Sequence, residues 1–212
     1  MRHIALACLA AGIVAGSASA QSFNIDFGNT TPTPGSGFGA AAGQAGVWNT
    51  YAGGTLVGLA GLGGGATGVT LTGTGGSLAG YNDPNTFGDD EALIDDGLVI
   101  PFLESYSFSG LAAGTYDVYV YTWTFQQLPT AVNVNGSGYT VVGGAWPGGY
   151  VQGVTHSLST VTIAANQALN IDIFTVNGAI GCVTGVQLVQ VPAPGAAAVM
   201  GALLLRSRRR RS

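Results

Sequence analysis

Basic residues are missing from almost the whole chain. Its 212 residues include no lysine, and the six arginines are Arg2 and five residues within 206–211. All ten acidic residues lie between Arg2 and Arg206. The formal net charge of −4 therefore conceals a long acidic segment that contains no basic residue. A segment with this charge repels phosphates and anionic glycans, which argues against nucleic acid as a partner. Neutral sugars, divalent cations and basic protein surfaces remain compatible ligands.

Histidine and cysteine are almost as scarce. His3 and His156 are the only histidines, so a zinc site with several histidines is excluded, and no Gly-x-Ser-x-Gly motif is present. The sequence predicts a protein that is not an enzyme, with a secreted hydrolase as a remote alternative. The two cysteines are Cys8 and Cys182. Cys8 belongs to the N-terminal segment described next, so Cys182 stands alone, no internal disulfide can form, and a buried thiol is expected.

The first twenty residues have the order of a secretory signal peptide. Arg2 precedes an apolar run over residues 4–14, and the small residues Ala18-Ser19-Ala20 follow. This pattern predicts cleavage after Ala20, with Gln21 as the mature N-terminus. The apolar run is too short for a comfortable membrane span.

The C-terminal segment, residues 192–212, has three parts. Pro192-Ala193-Pro194 comes first, an apolar run over residues 195–205 follows, and the arginine cluster closes the chain. As a helix, the apolar run would reach about 16 Å, roughly half a bilayer. The cluster, which includes Arg208, Arg209, Arg210 and Arg211, would stay on the cytoplasmic side and attract anionic lipid. A disordered basic tail is the alternative.

This three-part order resembles the PEP-CTERM sorting signal of bacteria. Pro192 and Pro194 match its two prolines, and Ala193 stands where the family usually has Glu. The resemblance implies that the tail holds an exported precursor in the inner membrane. An exosortase-type processing enzyme then cleaves near the motif and passes the protein to the cell surface or extracellular matrix.

Residues 21–191 are expected to form one all-β domain, an antiparallel β-sandwich of jelly-roll type. Residues 23–27, 169–174 and 186–191 alternate apolar and polar side chains, as half-buried strands do. Asn135-Gly136 separates two β-rich runs and predicts a hairpin turn. Residues 35–80 are rich in glycine and are expected to be dominated by loops with one or two edge strands. No segment shows a sustained helical period.

Three stretches of this domain are similar to the galactose-binding-like β-sandwich domains of exported bacterial proteins. They are the acidic segment 89–97, the strand after the Gly110–Gly114 corner, and the closing segment 185–188. The resemblance implies a sandwich fold.

Aromatic residues supply the candidate ligand-binding site. Trp146 and Tyr150 lie in a Pro/Gly-rich loop, which favours exposed rings that could stack on a sugar. Trp123 shares one face of a strand with Tyr119, Tyr121 and Phe125. The alternatives are that the strand residues belong to the core and that the loop aromatics cap one end of the sandwich.

The acidic segment supplies the candidate metal site. Asp89, Asp90, Asp95 and Asp96 could hold Ca²⁺ together with backbone carbonyls, although the spacing is not that of an EF-hand. A solvated acidic loop is the alternative, and no other cofactor is expected.

The sequence therefore predicts an exported surface or matrix protein of structural or adhesive type. The alternative is a non-catalytic carbohydrate-binding module, with calcium assisting the binding. Glycans or matrix components would be the partners of either.

Overall fold

The computed structural model describes residues 21–192, with the exception of 125 and 179. The predicted signal peptide with Ala18 and Ala20, the residues Ala193 and Pro194, and the arginine cluster lie outside the described residues, as does Phe125. At the two ends of the described chain, Gln21 is half-buried and Pro192 is exposed. Within this part of the chain, no helix is long and apolar enough to cross a membrane.

Fourteen strands and one short helix make up the described chain. In chain order they are β1 (Phe23–Phe27), β2 (Trp48–Tyr51), β3 (Thr55–Val57), β4 (Thr70–Gly73), β5 (Ser77–Gly80), α1 (Asp89–Ile94), β6 (Asp96–Ile100), β7 (Leu103–Ser109), β8 (Gly114–Tyr121), β9 (Thr130–Val134), β10 (Tyr139–Val142), β11 (His156–Ile163), β12 (Leu169–Thr175), β13 (Gly181–Val183) and β14 (Gly185–Val191).

The strands form two large sheets and one small one. Sheet A has the order β11-β8-β14-β1-β2, sheet B the order β10-β9-β12-β7-β4-β3, and the small sheet the order β13-β6-β5. Every ladder is antiparallel except that of β1 with β2, which is parallel. The predicted all-β sandwich is thus confirmed, whereas a purely antiparallel arrangement is wrong for this one pair.

The main core lies between sheets A and B. Alternate side chains supply it, since successive residues of a strand point to opposite faces. Phe23, Ile25 and Phe27 of β1 face Ile171 and Ile173 of β12 across a cluster of fully buried residues. The alternation of residues 23–27 and 169–174 therefore identifies core residues correctly.

Turn chemistry confirms one local prediction in detail. Asn135 and Gly136 both have positive φ, 49° and 73°, between the paired strands β9 and β10. They are the central residues of a turn in which Ser137 N donates to Val134 O (3.0 Å), and asparagine and glycine tolerate the positive φ that both positions need.

The glycine-rich segment 35–80 contains more structure than its composition predicts. It provides β2, β3, β4 and β5, and β4 is an inner strand of sheet B rather than an edge strand. The acidic segment also differs, because residues 89–94 form α1, whose Ala92, Leu93 and Ile94 are buried. Six residues are too few for a helical period to emerge from a sequence.

Candidate functional site

The aromatic stripe of β8 lies on the outer face of sheet A, away from the main core. Tyr116, Val118 and Val120 point into the core, whereas Tyr119 and Tyr121 point outward. Tyr121 and Trp123 are buried, at 0% and 1% exposure, in a second hydrophobic cluster on this face, as the core alternative predicts, and Tyr119 is partly buried there.

A second hydrophobic cluster covers these outward residues. Its members come from β2, α1, β8, the segment just after β8 and two loops: the buried residues are Trp48, Leu93, Ile94, Tyr121 and Trp123, and the partly buried ones are Phe38, Ala40, Ala41, Tyr119, Trp146 and Tyr150. The cluster contains all three tryptophans of the chain. Aromatic rings thus link the two loops to sheet A.

Residues 38–46, here called the covering loop, are held on sheet A by a buried amide, Gln187 of β14. Its Nε2 donates to Asn24 Oδ1 (2.8 Å) and to Gly39 O (3.1 Å). Its Oε1 accepts from the Tyr121 hydroxyl (2.5 Å) and from Ala42 N (3.3 Å). The polar faces of β1 and β14, which sequence alternation assigns to solvent, are therefore buried beneath the covering loop.

Four rings of the second cluster are only partly buried, and three of them come from loops: we call Phe38, Trp146 and Tyr150 the aromatic patch. Trp146 meets Tyr150 edge to face at 5.8 Å between ring centroids, and Tyr150 lies 6.1 Å from Phe38. Trp123 is only 1% exposed and packs edge to face with Trp146 at 5.9 Å. Its indole N–H donates to Gly144 O (3.0 Å). Trp123 thus supports Trp146 rather than meeting a ligand itself.

The first turn of α1 brings carboxylates to the edge of the aromatic patch. Asp90 lies beside the Tyr150 hydroxyl, and burial together with the Asp90 and Asp89 charges raises the pKa of Tyr150. Asp89 Oδ1 accepts from Gly35 N (2.7 Å), which ties α1 to the loop before Phe38. Half-exposed rings next to a carboxylate can contact the apolar face of a sugar ring and accept hydrogen bonds from its hydroxyls.

The four acids predicted to bind calcium do not point to one centre. Asp89 and Asp90 start α1 at the surface, whereas Asp95 and Asp96 follow its end and are fully buried. Asp95 accepts from Asp83 N (2.9 Å) and from the Thr86 hydroxyl, and burial is the largest cause of its raised pKa. Among the described residues, no group of three His, Cys, Asp or Glu side chains could hold a metal ion.

His156 is buried against aromatic rings. Its ring centroid lies 5.8 Å from that of Tyr119 and 5.7 Å from that of Tyr121, and its Nδ1 is 3.1 Å from the Thr155 hydroxyl. Burial lowers its pKa. These contacts describe a packed residue of the second cluster.

A surface depression lies away from the aromatic patch. It measures about 390 Å³ and is lined by residues near the N-terminal end of β1 and by glycines of the 61–65 segment, namely Gln21, Ser22, Phe23, Gly61, Gly63, Gly65 and Thr67. It is shallow, contains no charged side chain and includes none of the aromatic patch.

Comparison with known proteins supports the fold. No family model matches the chain, and no curated protein matches it. The ANX1 ectodomain of Arabidopsis thaliana gives a TM-score of 0.52 at 11% identity over 82% of this chain and 49% of that one. The plant receptor-like kinase ANX2 gives 0.51 at 12% identity, with the same coverage of both chains. A β-glucuronidase of Bacteroides uniformis gives 0.49 at 14% identity, over 81% of this chain and 18% of that one.

This chain thus spans about half of each plant receptor structure and less than a fifth of the glucuronidase. At these identities the likeness to the receptors shows the fold alone. The class that fold and comparison define is a β-sandwich protein.

Two of the three residues of the aromatic patch were already candidates in the sequence. Trp146 and Tyr150 were found through the Pro and Gly residues of their loop, and both lie in the aromatic patch. Phe38 was missed because it follows a Gly/Ser-rich run that carries no periodic signal. Asp26 was also missed, because the alternation of β1 assigns it to solvent, whereas it is 1% exposed.

Proposed function

We propose that this chain is an exported, non-catalytic surface or matrix protein of structural or adhesive type. The export route rests on the N-terminal pattern ending at Ala20, and the sorting route rests on Pro192, Pro194 and the arginine cluster. In this proposal an exosortase-type enzyme removes the C-terminal tail of a membrane-held precursor. Mass spectrometry of the protein recovered outside the inner membrane tests it. The expected termini are Gln21 and a residue near Pro192, and persistence of the Arg208–Arg211 peptide would contradict the processing step.

We further propose that adhesion occurs through neutral carbohydrate bound at the aromatic patch. The observation that carries this proposal is the juxtaposition of three partly buried loop rings with the Asp90 carboxylate. Rings buried on one side by Trp123 and Trp48 are held rigidly, so binding a sugar orders few side chains. The acidic, base-free domain disfavours anionic glycans, which leaves neutral ones.

Glycan-array binding followed by calorimetry tests this proposal. We expect saturable binding of a neutral oligosaccharide, and we expect Trp146→Ala to weaken it by at least about fivefold, since one ring contact contributes about 1 kcal/mol or more. Tyr139→Ala is the matched control, because Tyr139 is 60% exposed and packs on Phe174 of sheet B. A parallel array with chelator tests whether calcium assists.

Two outcomes would count against carbohydrate binding. One is the absence of saturable binding to any neutral glycan with and without calcium, which would leave a purely structural role. The other is equal weakening by Trp146→Ala and Tyr139→Ala, which would mean that the aromatic patch is not the binding surface.

The strand order supports the more specific assignment of a jelly roll. Eight strands, taken as β1-β14-β8-β11 in sheet A and β7-β12-β9-β10 in sheet B, follow the order that two interleaved Greek keys produce. In this interpretation β2 to β6 and β13 are additions to an eight-stranded framework. These additions include the strands next to the covering loop and next to α1. The covering loop and α1 position the aromatic patch.

A further inference from the structure

Two buried carboxyl groups, of Asp26 and Asp96, lie close together in a domain without lysine or arginine. Asp26 is 1% exposed and Asp96 is 0% exposed. Buried charges in proteins are normally paired with an opposite charge or with a metal ion. Residues 3–205 contain no arginine or lysine that could pair with these carboxyl groups. A positive charge beside Asp26 and Asp96 must therefore come from solution.

The backbone of β1 accounts for the proximity of the two groups. Gly28 directly follows the last residue of β1 and lies two residues after Asp26. A Cβ on Gly28 would lie 2.3 Å from Asp96 Cγ, so the Asp96 carboxyl occupies the space that a side chain at position 28 would fill. Gly28 also has φ of 151°, which favours glycine there. The Asp96 carboxyl therefore sits beside Asp26, on the outer side of sheet A.

The hydrogen bonds leave one oxygen of each group without a partner. Asp96 Oδ2 accepts from Thr30 N (2.7 Å), the Thr30 hydroxyl (3.1 Å) and Thr31 N (2.9 Å). Asp96 Oδ1 and Asp26 Oδ1 are both buried and have no hydrogen-bond partner in the described chain. Burial and the Asp96 charge raise the pKa of Asp26 to about 9, against a hydrogen bond from Thr33 that lowers it.

The other titratable groups near Asp96 provide no positive charge. The Tyr81 hydroxyl and Cys182 Sγ are 2.7 Å apart, and the Asp96 charge contributes to raising the pKa of both. Both are neutral at physiological pH and cannot compensate a carboxylate.

A proton or a cation could neutralise the pair. A single proton would remove only one of the two negative charges. A divalent cation would contact both unpartnered oxygens and balance both charges. The donors are all oxygen atoms, which suits a hard cation, and calcium accepts irregular sets of six to eight oxygens more readily than magnesium.

We propose that Asp26 and Asp96 bind one Ca²⁺ between β1 and β6, with carbonyl, hydroxyl or water oxygens as its other ligands. This site differs from the one expected on the acidic segment, of which it includes Asp96 alone. The ion would fasten β6, and with it α1, to sheet A. The proposal does not depend on carbohydrate binding.

Thermal unfolding of the mature protein at pH 7.5, in EGTA and then in millimolar CaCl₂, tests the site. Because a ligand of the native state stabilises it by mass action, calcium at 100-fold its Kd should raise Tm by about 5–10 °C. Calorimetry should give one ion per chain. An unchanged Tm together with no binding heat would overturn the proposal and favour a protonated pair.

Variants locate the ion. Asp26→Asn should abolish the calcium-dependent rise in Tm and should fold, since it keeps the shape of the side chain and leaves every hydrogen bond of Asp96 in place. Asp117→Asn is the matched control, because Asp117 is a half-exposed acid of β8 bonded to Thr160, and it should retain the full shift. A shift that survives Asp26→Asn but is lost in Asp89→Asn or Asp90→Asn would place calcium on α1 and refute the proposed site.

Discussion

Replacing Gln187 by alanine should detach the covering loop and destabilise the whole sandwich. Gln187 makes four hydrogen bonds, two of them to Gly39 and Ala42 of the covering loop. Each contributes about 1 kcal/mol net, and partners left buried without a bond cost about 1–3 kcal/mol each. Some of the former partners of Gln187 will form hydrogen bonds with water once the covering loop loosens. The free energy of unfolding should therefore fall by about 3–5 kcal/mol, which lowers Tm by roughly 10 °C in a chain of this length.

Urea unfolding followed by two probes measures this effect. All three tryptophans lie in the second cluster, so their fluorescence reports on the covering loop and its surroundings, whereas far-UV circular dichroism reports on the sheets. In Gln187→Ala the fluorescence transition should shift to lower urea, at or before the dichroism transition. Gln152→Ala, at an exposed position, is the control and should unfold like the unmodified protein. If Gln187→Ala unfolds like Gln152→Ala, the amide does not hold the covering loop, and the account of the site fails.

Two further predictions concern buried titratable groups. Burial lowers the pKa of His156 below its value in the unfolded chain, so its contribution to stability is complete above about pH 6.5 and is lost as the pH falls through the folded-state pKa. Urea unfolding from pH 8 to pH 5 should show a smaller loss of stability for His156→Asn, and identical pH profiles would contradict this assignment. Cys182 is fully buried and its pKa is raised to about 12, so a thiol reagent should label it only after denaturation. Rapid labelling of the native protein would refute its burial.

Local patterns predicted the framework of the fold well. The alternation in β1 and β12 and the Asn135-Gly136 turn depend on short-range geometry, which neighbouring residues define. The strand after the Gly110–Gly114 corner is β8, which lies between β11 and β14 in sheet A. In the glycine-rich segment, by contrast, β2 pairs with β1 and β4 pairs with β7. The side chains of β2 and β4 alone predict a strand only weakly.

The candidate site depends on contacts between distant segments. Trp146 and Tyr150 could be proposed from their loop, but Phe38 joins them only because Gln187 and Tyr121 hold the covering loop on sheet A. Asp95 and Asp96 are adjacent in the sequence, but their carboxyl groups have different neighbours. Asp95 accepts from Thr86, whereas Asp96 accepts from Thr30 and lies against Gly28.

The sequence alone determined the charge of this protein and its strand periodicity, because these follow from composition and from the geometry of a chain over a few residues. Tertiary structure decided which polar faces are buried, which aromatic rings are accessible and which two carboxyl groups meet. Each of these depends on residues that lie far apart in the chain and come together only when β1, β6, β8 and β14 are assembled beneath their loops.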